Sequence, residues 1–175
     1  LLAIKANNGV VQTTAFASYL DRNKFSAHRE VLNNLHSEIS KTMGFELLSR
    51  RERFNMSEED RAAYNEKFDE LEKLAAPRLE TEVYSIAPPV DVRDFVNHID
   101  YLVSFMGIDH VGISSDFDGG GGIQGWNSAA ETYNITIELV RRGYNEEQIS
   151  ALWSGNLLRV LDDVQRVSRK LLTSN

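Results

Sequence analysis

Residues 92–122 constrain this chain more than any other stretch. Val92, Phe95, Val96, Ile99, Leu102, Val103 and Met106 recur at helical spacing, and Gly107 follows as a C-cap. After a tight turn at Ile108-Asp109, residues 110–115 (His-Val-Gly-Ile-Ser-Ser) read as a short buried strand. The strand ends on Asp116-Phe117-Asp118, and the glycines at 119–122 are expected to form a flexible loop. Helix, short turn, strand, Gly-rich loop and helix again is the alternation of a parallel sheet or barrel. In such folds chemistry collects at the carboxyl ends of the strands. Asp116 and Asp118 are therefore the first candidates for function.

A second step of the same kind opens the chain. Residues 1–7 carry helix-like apolar spacing, Asn7-Asn8-Gly9 is a turn, and Val10 to Phe16 is a β-branched strand. Its far end delivers Ser18, Tyr19 and Asp21 into a loop. Between the two steps the chain is helical and polar from about Ser26 to Leu74. Val31, Leu35, Ile39 and Met43 make one apolar stripe, while Tyr64, Phe68, Leu71 and Ala75 make another, so a helical hairpin is expected. Ser57-Glu58-Glu59-Asp60 marks the start of its second helix. Residues 78–90 read as irregular, with Pro88-Pro89 forcing an extended stop. Past the glycines, helices are expected over 129–142, over 145–153 with Asn145 and Gln148 as a capping box, and from Asn156 towards Leu171.

At 175 residues the chain is one domain or part of one. A net charge of −7 argues against nucleic acid or an anionic membrane surface as partner. No apolar run approaches the ~20 residues that cross a bilayer. With no cysteine, disulfides and thiolate metal sites are excluded. Leu1-Leu2-Ala3-Ile4 has no Met, no basic segment and no cleavage site, so the sequence is expected to be entered midway rather than to open on a signal peptide.

Several readings of the candidate residues compete. Gly120, Gly122 and Gly125 satisfy a dinucleotide-binding pattern, but four consecutive glycines match many patterns, and the acidic partner ~20 positions on would fall mid-helix at Glu138. Asp116-Phe117-Asp118-Gly119 begins like a calcium loop, yet the closing glutamate position holds Asn127. His110 starts the strand that Asp116 ends, roughly 20 Å away at ~3.3 Å per residue, so the two cannot share a metal. His98 reads as a packed helix residue, and His28 and His36 as solvated. The bland reading of the carboxylates is loop capping through backbone N–H groups. Two apart on a strand, they are expected to face one side, with one free for chemistry and Asp118 better placed to tie the loop.

Taken together, Asn97-His98-Ile99-Asp100-Tyr101, Gly107 to Ile113, Ser115-Asp116-Phe117-Asp118-Gly119 and Gly155-Asn156-Leu157-Leu158-Arg159-Val160 resemble the membrane (renal-type) dipeptidase family, the M19 metallopeptidases. Residues 119–126 and Arg142-Gly143-Tyr144 look like its bacterial branch. The resemblance is dense over 90–165 and looser over 1–20, and residues 26–88 look like a helical insertion. It implies a (β/α)8 barrel with a binuclear zinc site whose bridging hydroxide cleaves the peptide bond of dipeptides. It further implies that Asp116 acts on the substrate amine and in proton transfer, that Tyr19 contacts the substrate, and that Asp118 and Gly119 structure the loop. The family's metal ligands, a His-x-Asp pair, a bridging Glu and two later His, precede the first strand here and are absent from the chain.

The expectation is thus an α/β chain, mostly helical, forming the C-terminal part of a TIM-type barrel that needs about 250 residues, with about two of its strands present. Residues 1–175 would belong to one barrel domain carrying the 26–88 insertion. No zinc is expected on this chain alone, and the isolated chain is expected to be inactive. Its expected partners are a dipeptide substrate, the missing N-terminal half of the barrel, and further copies of itself. The alternative is a non-catalytic helical interaction module derived from that fold.

Overall fold

The computed structural model describes residues 1–173. In chain order its elements are α1 (Leu2–Ala6), β1 (Val11–Thr14), α2 (Ala17–Leu20), α3 (Arg22–Met43), α4 (Arg50–Phe54), α5 (Glu58–Ala75), α6 (Val92–Met106), β2 (Val111–Ser114), α7 (Tyr133–Arg141), α8 (Glu146–Ser150) and α9 (Asn156–Thr173). Packing separates two units, Leu1–Arg22 with Val90–Asn175, and Asn23–Pro89. Among the described residues no helix is long and apolar enough to cross a membrane.

In the first unit β1 and β2 pair in parallel, in register from Val11↔Val111 to Thr14↔Ser114. Val111, Gly112 and Ile113 are all buried, the pattern of a strand covered on both faces. Helix α6 starts where Asp91 accepts from Asp94 N at 3.2 Å and Asp94 Oδ2 accepts from Asp91 N at 2.9 Å. Its apolar stripe of Phe95, Val96, Ile99, Leu102 and Met106 is wholly buried. Each such side chain contributes about 1.5–3 kcal/mol by leaving water. Gly107, at φ 93°, turns the chain from this helix towards β2. Ile135, Leu139 and Leu152 complete the core from the following helices. Asn145 and Gln148 form the expected capping box, with bonds of 2.9 and 3.0 Å.

The stretch expected to be a flexible loop is instead pinned on both sides. Gly122 N donates to Ala15 O at 3.0 Å, Gln124 N to Val90 O at 2.9 Å, and Val92 N to Gln124 O at 3.2 Å. Beneath it Trp126 is buried among the rings of Phe95, Phe117 and Trp153, with centroids 5.3, 5.5 and 6.1 Å away. Its indole N–H is satisfied by Thr132 Oγ1 at 3.1 Å.

The second unit is helical and holds its own core, in which Leu35 and Ile39 of α3 meet Leu71 and Ala75 of α5 and Val83 beyond it. Ser57 caps α5 through Asp60 N at 3.1 Å, as its sequence implies. Three expectations are corrected here. A further helix, α4, interrupts the hairpin, started by a Ser49–Glu52 capping box with bonds of 2.7 and 3.3 Å. Residues 79–84 are not irregular but form a π-helical turn, Leu79–Tyr84, because Val83 is buried and Arg78 clamps Glu82 at 2.7 and 2.6 Å. The histidines are not solvated. His28 Nδ1 lies 2.8 Å from Ala87 O, and His36 is 7% exposed with its ring edge-on to Phe68.

Candidate active site

The carboxyl ends of β1 and β2 lie side by side and are joined through Ala15. Its N–H donates to Ser114 O at 3.0 Å, and its carbonyl accepts from Gly122 N at 3.0 Å. The chain after β1 therefore pairs first with the end of β2 and then with the glycine loop. This arrangement puts the residues of both strand ends around one locus.

Asp116 sits two residues past β2 in the left-handed region, at φ 56° and ψ 31°. Few residues other than glycine take this conformation, and Asp and Asn do so most readily. The turn is closed by its carbonyl, which accepts from Gly119 N at 3.0 Å and Gly121 N at 2.7 Å. Two glycines leave room for neighbouring atoms, backbone at 121 and the Asp116 side chain at 119. A β-carbon at Gly121 would lie 2.2 Å from Ser115 O, and one at Gly119 would lie 2.1 Å from Asp116 Oδ1. The Asp116 carboxylate thus rests against the bare backbone of residue 119.

This geometry corrects two details of the sequence reading. The strand ends at Ser114, so the left-handed turn cancels the alternation that would have aimed Asp116 and Asp118 to one side. The backbone N–H groups of the loop bond to the Asp116 carbonyl, while Asp118 is exposed in the 3-10 turn Phe117–Gly119 and its side chain makes no hydrogen bond among the described residues.

Tyr19 belongs to the one-turn helix α2 rather than to a loop, and it is 73% exposed. Its ring packs on Phe16 with centroids 4.7 Å apart, and a β-carbon at Gly120 would meet Phe16 at 3.4 Å. Phe16 also bridges to Gly122. The structure therefore brings Tyr19 to the same end of the strand pair as Asp116, through Phe16 and the glycine loop. Among the described residues no group of three or more His, Cys, Asp or Glu could hold a metal ion.

The opposite end of the strands is held by Asn156 and Arg159, to which the sequence pattern assigns no individual role, and by His110. Asn156 is 4% exposed, and its amide donates to Ile108 O at 2.7 Å and Val111 O at 2.8 Å. The Arg159 guanidinium donates to Asn8 O and Asp109 O, both at 2.9 Å. His110 Nδ1 lies 2.8 Å from Gly9 O, a structural contact rather than a metal ligand. One side-chain set thus fastens the turns that enter β1 and β2. The signal was the Gly-Asn-Leu-Leu-Arg run itself, whose polar residues stand in an otherwise apolar helix start.

A second network lies on α6. Arg142 donates to Glu138 at 2.9 Å, to Asn97 at 2.7 Å and to Asp100 at 2.6 Å, and Tyr144 donates to the other Asp100 oxygen at 2.7 Å. Burial first, then the Asp100 hydrogen bond, holds the Tyr144 phenol well above its usual range. Nearby, a shallow cleft of about 190 Å³ gathers Leu20, Asp21, Asp94 and His98. Burial lowers the His98 imidazole below its ordinary value of 6.5.

Against known proteins, the family described as membrane dipeptidase (peptidase family M19) matches over residues 1–175. Dipeptidase aclJ of Aspergillus oryzae is 36% identical over 86 residues, 49% of this chain and 20% of that protein. Dipeptidase 3 of Rattus norvegicus is 32% identical over 83 residues, 47% of this chain and 17% of that protein. The crystal structure of the probable dipeptidase PvdM from Pseudomonas aeruginosa superposes with a TM-score of 0.56 at 32% identity, covering 94% of this chain and 39% of that one. The chain thus spans about a fifth of those curated relatives and about two fifths of the solved neighbour.

Proposed function

This chain belongs to the membrane dipeptidase family, peptidase family M19, and from that premise we propose that it is the C-terminal part of a zinc dipeptidase built on a TIM-type barrel. On this reading β1 and β2 are neighbouring staves, residues 1–175 lie in one barrel domain, and residues 26–88 are a helical insertion in it. The metal centre, which in the family activates the attacking water, is assigned to upstream residues. This chain supplies the groups that meet the substrate.

Asp116 has the central role. A carboxylate at the carboxyl end of a barrel strand is placed to pair with the ammonium of a dipeptide and to move a proton during bond cleavage. Its left-handed backbone, closed by Gly119 and Gly121, aims it independently of β2 and supports this role more than any other observation. Tyr19 contributes a substrate contact from the adjoining strand end. Gly119 structures the loop through the room it leaves the carboxylate, while the exposed Asp118 contributes only its backbone to the 3-10 turn.

The barrel's N-terminal half is the proposed occupant of the apolar surface on α9 and α1. Leu157, Leu161, Val164 and Leu171 of α9 and Leu1, Leu2 and Ile4 at α1 are all exposed. Purified alone with added zinc, the 175-residue chain is expected to hold no stoichiometric metal and to hydrolyse no dipeptide. Mixing it with a polypeptide carrying the upstream strands should restore hydrolysis. Activity from the chain by itself would overturn the proposal.

A further inference from the structure

The unit Asn23–Pro89 carries a cleft of about 690 Å³, a volume within the range of small-molecule sites. Three arginines border it, Arg29 from α3 and Arg50 and Arg53 from α4. Among the described residues none of the three forms an ion pair or donates a side-chain hydrogen bond, in a chain with 26 acidic residues against 19 basic ones. Three cations left without carboxylates around one concavity are unexpected in so acidic a protein. Arg29 lies over the ring of Phe25 and Arg53 over that of Tyr64, 5.5 and 6.0 Å from the centroids. Such stacking orients the guanidinium planes and leaves their N–H edges to an acceptor.

Two nitrogens in the cleft are buried without a hydrogen-bond partner, Arg53 Nε and His36 Nε2. His36 Nε2 is 3.4 Å from Glu72 Oε1, the one carboxylate that lines the cleft, but outside hydrogen-bond geometry. Buried polar atoms in proteins are almost always satisfied, so these two mark incomplete packing in the cleft wall, beside the guanidinium edge that faces it. Leu32, Leu47 and Phe68 add an apolar lining beside the cations.

We infer that this cleft binds a small organic acid, its carboxylate on Arg53 with Arg50 and Arg29 supplying charge, and its apolar group against Leu32, Leu47 and Phe68. A guanidinium edge matches a carboxylate in a bidentate fashion. Inorganic phosphate would satisfy the arginines but leave the apolar lining unused. The inference concerns residues 23–89 and stands independently of the activity proposed for Asp116.

Calorimetric titration of the 175-residue chain with N-acetylphenylalanine, its amide and inorganic phosphate tests it. The acid is expected to bind saturably and to shift the His36 ring resonances, while the amide binds at least about tenfold more weakly for want of charge. Arg53→Gln and Arg53→Lys should each weaken the acid about tenfold or more, the lysine because a single ammonium lacks the planar two-pronged edge. Glu72→Gln should strengthen binding, and Arg50→Gln, at an exposed position, should weaken it even if the Arg53 variants do not fold. The inference is overturned by an absence of saturable binding, by equal binding of acid and amide, by phosphate binding more tightly than the acid, or by folded arginine variants that bind like the parent.

Discussion

Asp116 and Gly119 are fitted to each other: the Oδ1 of the aspartate fills the space a side chain at 119 would need, 2.1 Å from the position of its β-carbon. An alanine there must push the carboxylate aside or open the turn. In the complete enzyme Gly119→Ala is expected to lower kcat by about tenfold or more through misplacement of Asp116, because a shift of about 1 Å can cost ~100-fold. Steady-state kinetics on dipeptides measures this. An unchanged kcat would show that the carboxylate position does not matter.

Gly121 is constrained by backbone instead, since its β-carbon would meet Ser115 O at 2.2 Å and Asp116 O at 2.7 Å. Neither atom can rotate away. Gly121→Ala is expected to destabilise the chain by about 1–3 kcal/mol, the range for overpacked sites. Urea unfolding provides the measurement, with Gly44→Ala as a comparison, where a β-carbon meets nothing within 4 Å but must accept a φ of 62°.

Asn156 serves two carbonyls, Ile108 O and Val111 O, from a buried position. Asn156→Ala removes both bonds from a buried position, although Ile108 O keeps the Val111 N–H, at a cost of about 1–3 kcal/mol. A thermal melt should show a clear drop in Tm, whereas Asn145→Ala at an exposed cap should cost only about 1 kcal/mol.

His98 sets a pH dependence. Its folded value is depressed by burial, although Asp21 and Asp94 line the same cleft, so the unfolded chain binds the proton more readily. Stability from this group is full above its ordinary value of 6.5 and is lost as pH falls through the folded value. Replacement by Gln should flatten the stability profile below pH 6.5. A variant whose acid limb matches that of the parent would exclude His98 as the cause.

The alternation of helix and strand, the capping boxes and the glycine C-cap were legible because each depends on neighbours in sequence. Ser57, Asn145 and Gly107 do in the structure what their local pattern implies. What escaped depends on contacts made at long range. His28 and His36 sit in polar surroundings in the sequence, yet Ala87 and Phe68 reach them across the fold. Asp116 and Asp118 look like strand neighbours in the sequence, but their divergence follows from a left-handed residue whose turn is closed by glycines up to five positions on. Arg159 and Asn156 hold turns 151 and 48 residues away, pairings that no local pattern shows.

The final helix predicts how the isolated chain behaves. Leu161 is 48% exposed and Val164 is 61% exposed on one apolar face. Such a face calls for a partner. On its own the 175-residue chain is expected to self-associate in sedimentation. Leu161→Glu with Val164→Glu should shift it towards monomer, and a parent chain that is already a monomer would refute this.

Comparing Asp116→Asn with Asp118→Asn in the complete enzyme, with zinc content measured on both, tests the central claim most directly. Asp116→Asn is expected to keep its zinc and lose about 100-fold or more in kcat, the range for a positioned acid or base, while Asp118→Asn stays within about tenfold of the parent. Equal losses in the two variants, or an Asp116→Asn enzyme as active as the parent, would contradict the assignment of the chemistry to Asp116.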